Sequence, residues 1–139
     1  MASTDGSGPG ELPTQLFDWG RIKWRVSLRN RPDGAVSVGD VAVFPGKGHA
    51  RHLHPGSDEV IYVLSGTGEQ TVDDGPAFPI AAGDVVHIPR GTPHSTHNTG
   101  WTTLQLVVVY GPAGAEEELR GAPDFREIPA GAGHPVENG

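Results

Sequence analysis

The chain has 139 residues, the length of a single domain, and its 35% hydrophobic content with 21 glycines and 13 prolines fits short strands, tight turns and loose tails. A formal charge of −7 without a basic stripe speaks against a nucleic-acid or membrane-surface partner; the lack of cysteine rules out disulfides and thiolate ligands, so any metal is held by nitrogen and oxygen. Met1–Gly10 has neither the charged start nor the apolar run of a signal peptide, and no stretch is long enough to span a bilayer; the expectation is a cytoplasmic protein.

Residues 1–13 are rich in Gly, Ser and Pro and are expected to form a flexible arm. Ile22–Leu28 alternates apolar and polar residues, as a half-buried strand does, and Val36–Phe44 reads as a second strand. Glu59–Leu64 is β-rich on both faces, and Asp84–Ile88 and Thr103–Tyr110 behave similarly. Turn chemistry separates them: Arg31-Pro32-Asp33-Gly34, Ser65-Gly66, Asp73-Asp74-Gly75-Pro76 and Pro89-Arg90-Gly91. Ala115–Arg120 is a short helix at most, and Glu116-Glu117-Glu118 reads as its solvated start. Beyond it, 121–139 is expected to trail over the surface with Phe125 and Ile128 as anchors and His134 in solvent. Many short strands with almost no helix predict an all-β jelly-roll barrel or sandwich.

The chemistry concentrates between Gly46 and Asn98. His52 and His54 are two apart in a predicted strand and so share a face. Glu59 follows after a Pro55-Gly56 turn, placed to aim its carboxylate at the two imidazoles if its strand runs antiparallel to theirs. His94 comes after the Pro89-Arg90-Gly91 turn. Three imidazoles and one carboxylate make an N/O set suited to one divalent transition metal ion: Fe, Mn, Ni, Cu, Co or Zn. Four protein ligands on a six-coordinate ion leave two open positions, a catalytic rather than a closed arrangement.

The run Gly46-(five)-His52-Leu53-His54-(four)-Glu59-(six)-Gly66 resembles the first cupin motif. Gly83-(five)-Pro89-Arg90-Gly91-(two)-His94-(three)-Asn98 resembles the second, sixteen residues on. The resemblance implies a small single-domain cupin: a double-stranded β-helix barrel over 14–112, followed by a short helix and an extended tail over 113–139. It implies a metal inside the barrel at His52, His54, Glu59 and His94. Gly46, Gly66, Gly83 and Gly91 read as turn glycines, and Asn98 as a loop anchor.

Strand parity puts His49 and Arg51 on the face opposite His52 and His54, and His97 opposite His94, all toward solvent. His87 lies across a turn from His94 and keeps both readings. Ile61 and Val63 share the face of Glu59 and are expected to line the pocket, while Tyr62 points to an outer layer or a second subunit. Gln105, with Thr103 on its face, is read either as a substrate contact or as a satisfied core amide. Trp19 and Trp24 are read as interface aromatics or core packing, within an expected homodimer.

The leading functional expectation is a metal-dependent enzyme on a small oxygenated organic molecule, in a dioxygenase-type reaction with the substrate chelated to the metal and Glu59 as general base. The alternatives are a non-redox cyclase, isomerase or lyase of a polyketide-like secondary-metabolite pathway, and a small-molecule binder without turnover.

Overall fold

The computed structural model describes residues 6–136. Eleven strands build the domain: β1 (Thr14–Phe17), β2 (Gly20–Val26), β3 (Ser37–Val43), β4 (Gly48–His52), β5 (Asp58–Ser65), β6 (Thr67–Val72), β7 (Phe78–Ala81), β8 (Val85–Ile88), β9 (His94–His97), β10 (Leu104–Gly111) and β11 (Arg126–Ile128). They form two antiparallel sheets, a seven-stranded one in the order β11-β1-β2-β3-β10-β5-β8 and a four-stranded one in the order β4-β9-β6-β7. This is the jelly-roll layout expected of short alternating strands with glycine-rich corners. Among the described residues no helix is long and apolar enough to cross a membrane.

Period-two alternation sorts the long strands of the large sheet. On β10, Leu104, Leu106, Val108 and Tyr110 are buried while Gln105, Val107 and Val109 are half exposed. On β5, Ile61 and Val63 are buried and Tyr62 is exposed. These faces join Ile22, Trp24, Val41 and Val43 in one apolar cluster. Each fully buried aliphatic side chain contributes about 1.5–3 kcal/mol.

At the β5–β6 corner Gly66 has φ +89°, and a Cβ there would sit 2.8 Å from the Thr103 carbonyl oxygen, so only glycine fits the corner. Gly46, Gly83 and Gly91 also take positive φ in turns.

Both tails are tied down more firmly than their composition predicts. Residues 1–5 of the expected arm lie outside the described residues, but Arg25 donates to the Ser7 carbonyl, Lys23 donates to the Leu12 carbonyl, and Leu12 is buried. At the other end β11 pairs with β1, setting Ile128 opposite Thr14, and Phe125 packs edge-on against Phe17. The sheet therefore continues past residue 112, while 137–139 lie outside the described residues. Ala115–Gly121 winds as a 3-10 helix.

Glu116, expected in a solvated helix start, is instead buried. Glu116 is 3% exposed, and its carboxylate accepts hydrogen bonds from the Ser37 hydroxyl and from the backbone N–H groups of Leu28 and Gly114. Backbone donors and a hydroxyl supply in the interior what water supplies outside.

Candidate metal centre

His52 closes β4, His54 lies just beyond it, Glu59 is the second residue of β5 and His94 opens β9. In β4 and β9, His52 and His94 are direct cross-strand partners, which sets their rings 4.2 Å apart. Glu59 comes from the opposite sheet. The antiparallel placement beside the histidine strand that the sequence left as a condition does not occur: β5 and β4 belong to different sheets, so the site joins the two. One ligand atom from each of the four residues lies within 4.8 Å of the others.

Outer contacts fix which ring nitrogen faces inward. His52 Nδ1 lies 2.6 Å from the Ala50 carbonyl oxygen and His94 Nδ1 2.9 Å from that of Thr92. A carbonyl can only accept, so each Nδ1 carries the proton and each Nε2 turns a lone pair toward the site. His54 differs: its Nδ1 has the Glu118 carboxylate at 3.5 Å without hydrogen-bond geometry, and its Nε2 faces Glu59 at 3.2 Å. His94 Nε2 is 3.0 Å from the same Glu59 oxygen.

None of these inner contacts has hydrogen-bond geometry. Glu59 Oε1, His54 Nε2 and His94 Nε2 are buried polar atoms without a hydrogen-bond partner. Such atoms are costly unless something lies between them. Three orphaned donor atoms converging on one point, with a fourth imidazole beside them, fit a divalent transition metal, and His52, His54, Glu59 and His94 are the residues that would hold it.

The electrostatics prepare the set for a cation. Burial lowers the His52 pKa to about 3, aided by neighbouring His49, which leaves a neutral ring at neutral pH. Burial alone would raise Glu59, but its contacts with His54 and His94 prevail and hold it at about 2, fully ionised. His54 is raised; burial works against this, and the Glu59 and Glu118 carboxylates outweigh it.

A cavity of about 40 Å³ adjoins the cluster, walled by Trp19, Trp24, Ile61, Leu106, Val108 and Tyr110 among others. Of the residues expected to line it, Ile61 does. Val63 is fully buried in the core but away from this wall. Gln105 and Thr103 are not at the cavity: Gln105 lies on the face of β10 opposite Leu106 and Tyr110. The one polar side chain in an otherwise apolar run marks the outward face, a signal the sequence carried.

His49, expected to face solvent, turns toward the cavity instead. It is stacked on Trp19 with ring centres 4.9 Å apart, lies 3.9 Å from the His52 ring, and lines the cavity. The cause is a bulge. His49 pairs with Thr96 and His52 with His94, so two residues on β4 (Ala50 and Arg51) stand against one on β9 (Ser95), and the extra residue reverses the parity count. Burial lowers the His49 pKa to about 4. Arg51 and His97 are exposed, His87 is exposed beside Asp58 at 3.4 Å, and Trp24 is core while Trp19 packs against it.

Tyr110 was not singled out from the sequence. Its ring centre is 4.8 Å from that of His54, and burial, followed by the Glu59 charge, raises its pKa well above the ordinary value, so its hydroxyl stays a donor. Asn98 serves as the loop anchor, donating to the carbonyls of Val43 and Thr102 and accepting from the Gly100 N–H.

An antiparallel jelly roll with three imidazoles and a carboxylate converging inside it is a barrel whose interior could hold one divalent metal ion. The chain belongs to the cupin family: the cupin domain model matches residues 35–110. Protein SchB of Streptomyces halstedii is 36% identical over 97 residues, 68% of this chain and 70% of that protein. The oxalate-binding protein of Thermotoga maritima is 42% identical over 65 residues, 47% of this chain and 53% of that protein.

Among solved structures, a predicted oxalate decarboxylase from Thermotoga maritima overlays with a TM-score of 0.64 at 28% identity, covering 76% of this chain and 96% of that one. Oxalate decarboxylase from Bacillus subtilis overlays with a TM-score of 0.62 at 25% identity, covering 69% of this chain and 26% of that one. The chain thus spans about half of the oxalate-binding protein and a quarter of the Bacillus enzyme.

Proposed function

We propose that this cupin is a metal-dependent enzyme acting on a small oxygenated organic molecule with an apolar body, in a dioxygenase-type reaction in which the substrate chelates the metal. The convergence of the orphaned ligand atoms of His54, Glu59 and His94 beside His52 carries this reading. When bound, a redox-active divalent metal supplies Lewis acidity and a one-electron couple toward dioxygen. The three histidines hold the ligand positions. Glu59, ionised and bridging two of them, is the base placed to take a proton from a substrate hydroxyl as its own contacts loosen. Ile61, Leu106 and Val108 exclude water around the reacting end of the substrate, whose apolar body lies outside this small cavity.

Three of the similar proteins bear names that mention oxalate, but among the described residues the cavity wall has no Arg or Lys to meet a dianion. That favours a neutral or singly charged substrate. A non-redox cyclase or isomerase is the second reading, favoured by Tyr110: a hydroxyl held protonated beside His54 is the donor that carbonyl activation requires.

Elemental analysis of the purified protein beside His54→Ala, with oxygen uptake followed on hydroxy-aromatic and β-diketone substrates, tests the proposal. The expected result is near-stoichiometric Fe, Mn, Cu or Ni with substrate-dependent oxygen uptake in the wild type, and neither in the folded variant. Zinc with oxygen-independent turnover would transfer support to the second reading. Failure to retain any of these metals after loading would overturn both.

A further inference from the structure

The metal cavity is the smaller of two hollows that meet at Trp24. On the other side of this side chain, a pocket of about 710 Å³ opens between the arm at residues 7–13, the turn after β2 and the 3-10 helix. Trp24 lines both, with its ring 5.4 Å from that of Tyr110. The outer pocket has the size of small-molecule sites, whereas the inner cavity has room for little more than water or the reacting end of a molecule.

Its polar groups are unevenly satisfied. Gln15 is 4% exposed, and its Oε1 accepts from Trp24 Nε1 at 2.9 Å. Its Nε2 carries two N–H donors that find no protein partner among the described residues, although Gln15 lines the pocket. This nitrogen is not sealed off from the pocket, so solvent serves its two N–H donors until a ligand's acceptor takes its place. The charges nearby are mostly consumed: Arg29 makes two contacts to Glu117, Arg120 reaches Glu127, and Glu116 is bonded internally. Among the described residues Glu11 accepts only the Gly8 N–H, and Arg31 is the cation left without a charged partner. Its guanidinium donates to the Asn30 carbonyl and has no carboxylate within ion-pair distance among the described residues. Leu12, Pro13 and Trp24 supply the apolar surface.

We propose that this pocket is a second binding site, for a flat apolar monoanion bearing a hydrogen-bond acceptor: its ring lies against Trp24 and Leu12, its acceptor meets Gln15 Nε2, and its negative group meets Arg31. The site does not depend on metal. Trp24, common to both hollows, is the side chain through which an occupant is felt at the metal cavity.

The probe is 2-naphthoate, titrated into the full chain by calorimetry and tryptophan fluorescence, before and after treatment with a chelator. Saturable binding with one site per chain and the same affinity in both states is expected. Gln15→Leu and the rim variant Arg31→Gln should each weaken it about tenfold, the size of one lost charged or buried hydrogen bond. Leu12→Trp, which fills the pocket, should abolish it. Absence of saturable binding at millimolar probe, binding that disappears with the chelator, or binding indifferent to both Gln15→Leu and Arg31→Gln would each overturn the proposal. The chelated sample separates this failure from failure of the metal reading.

Discussion

The two sheets face each other across the same interior but furnish it differently. The large sheet presents Ile22, Trp24, Val41, Ile61, Leu106 and Val108, nearly all apolar. The small sheet presents His52, His94, Thr96 and Gln70, with Gln70 wholly buried and accepting a hydrogen bond from the Thr96 hydroxyl. One sheet supplies transfer free energy and shape. The other supplies direction, because its buried polar atoms stay satisfied in only one arrangement. Glu59 is the large sheet's polar exception at the cluster, and it crosses over to complete the ligand set. The division shows how a core can hold costly ligands: most apolar contacts lie on the large sheet, joined by Ile80 of the small one, while most polar groups at the cluster lie on the small sheet.

Leu106→Ala on the apolar layer tests this most severely. It should lower stability by about 2–5 kcal/mol through the cavity it leaves, read as a fall in the denaturation midpoint, while the ligand residues stay in place and metal content per folded chain is kept. Loss of metal at unchanged stability would erase the distinction between the layers.

On the polar layer, Thr96→Val keeps the volume and removes only the donor to Gln70. The expected cost is about 1–3 kcal/mol for the unpaired buried acceptor, measured by the same denaturation. A neutral result would mean that Gln70 finds a new partner and that direction on this sheet is not set by this bond.

The smallest effect is expected at Glu118, which is largely exposed and touches the site only through His54 Nδ1 at 3.5 Å. Glu118→Gln should weaken metal affinity about tenfold without changing stability, since an outer-shell carboxylate orients a ligand ring and raises its basicity. Affinity measured by chelator competition and found unchanged would leave the orientation of His54 to packing against Tyr110 alone.

Much of the site was legible because ligand spacing is local. His52 and His54 two apart, Glu59 beyond a Pro-Gly turn and His94 beyond a Pro-Arg-Gly turn are statements about chain geometry over a few residues, and the structure brings those four together. The long strands were legible for the same reason, although β1, β4, β6, β7, β9 and β11 were too short or too polar to stand out by alternation. His49 was misplaced because parity counting assumes an unbroken ladder, and a one-residue bulge shifts every side chain beyond it to the other face. Glu116 was misplaced because a charged run reads as solvated until its partners are known, and these come from Ser37 and Leu28, far away in sequence.

By itself, then, the sequence determined the barrel and its turns, through periodicity of two and glycines at left-handed corners, and the four converging candidate ligands, through the spacing of His52, His54, Glu59 and His94. Tertiary structure alone decided that Glu59 reaches the histidines from the opposite sheet and that Tyr110 and Trp24 wall the cavity. It also placed the second hollow behind Trp24. Each of these depends on which faces of distant strands meet, and no local pattern encodes the pairing of two sheets across a core.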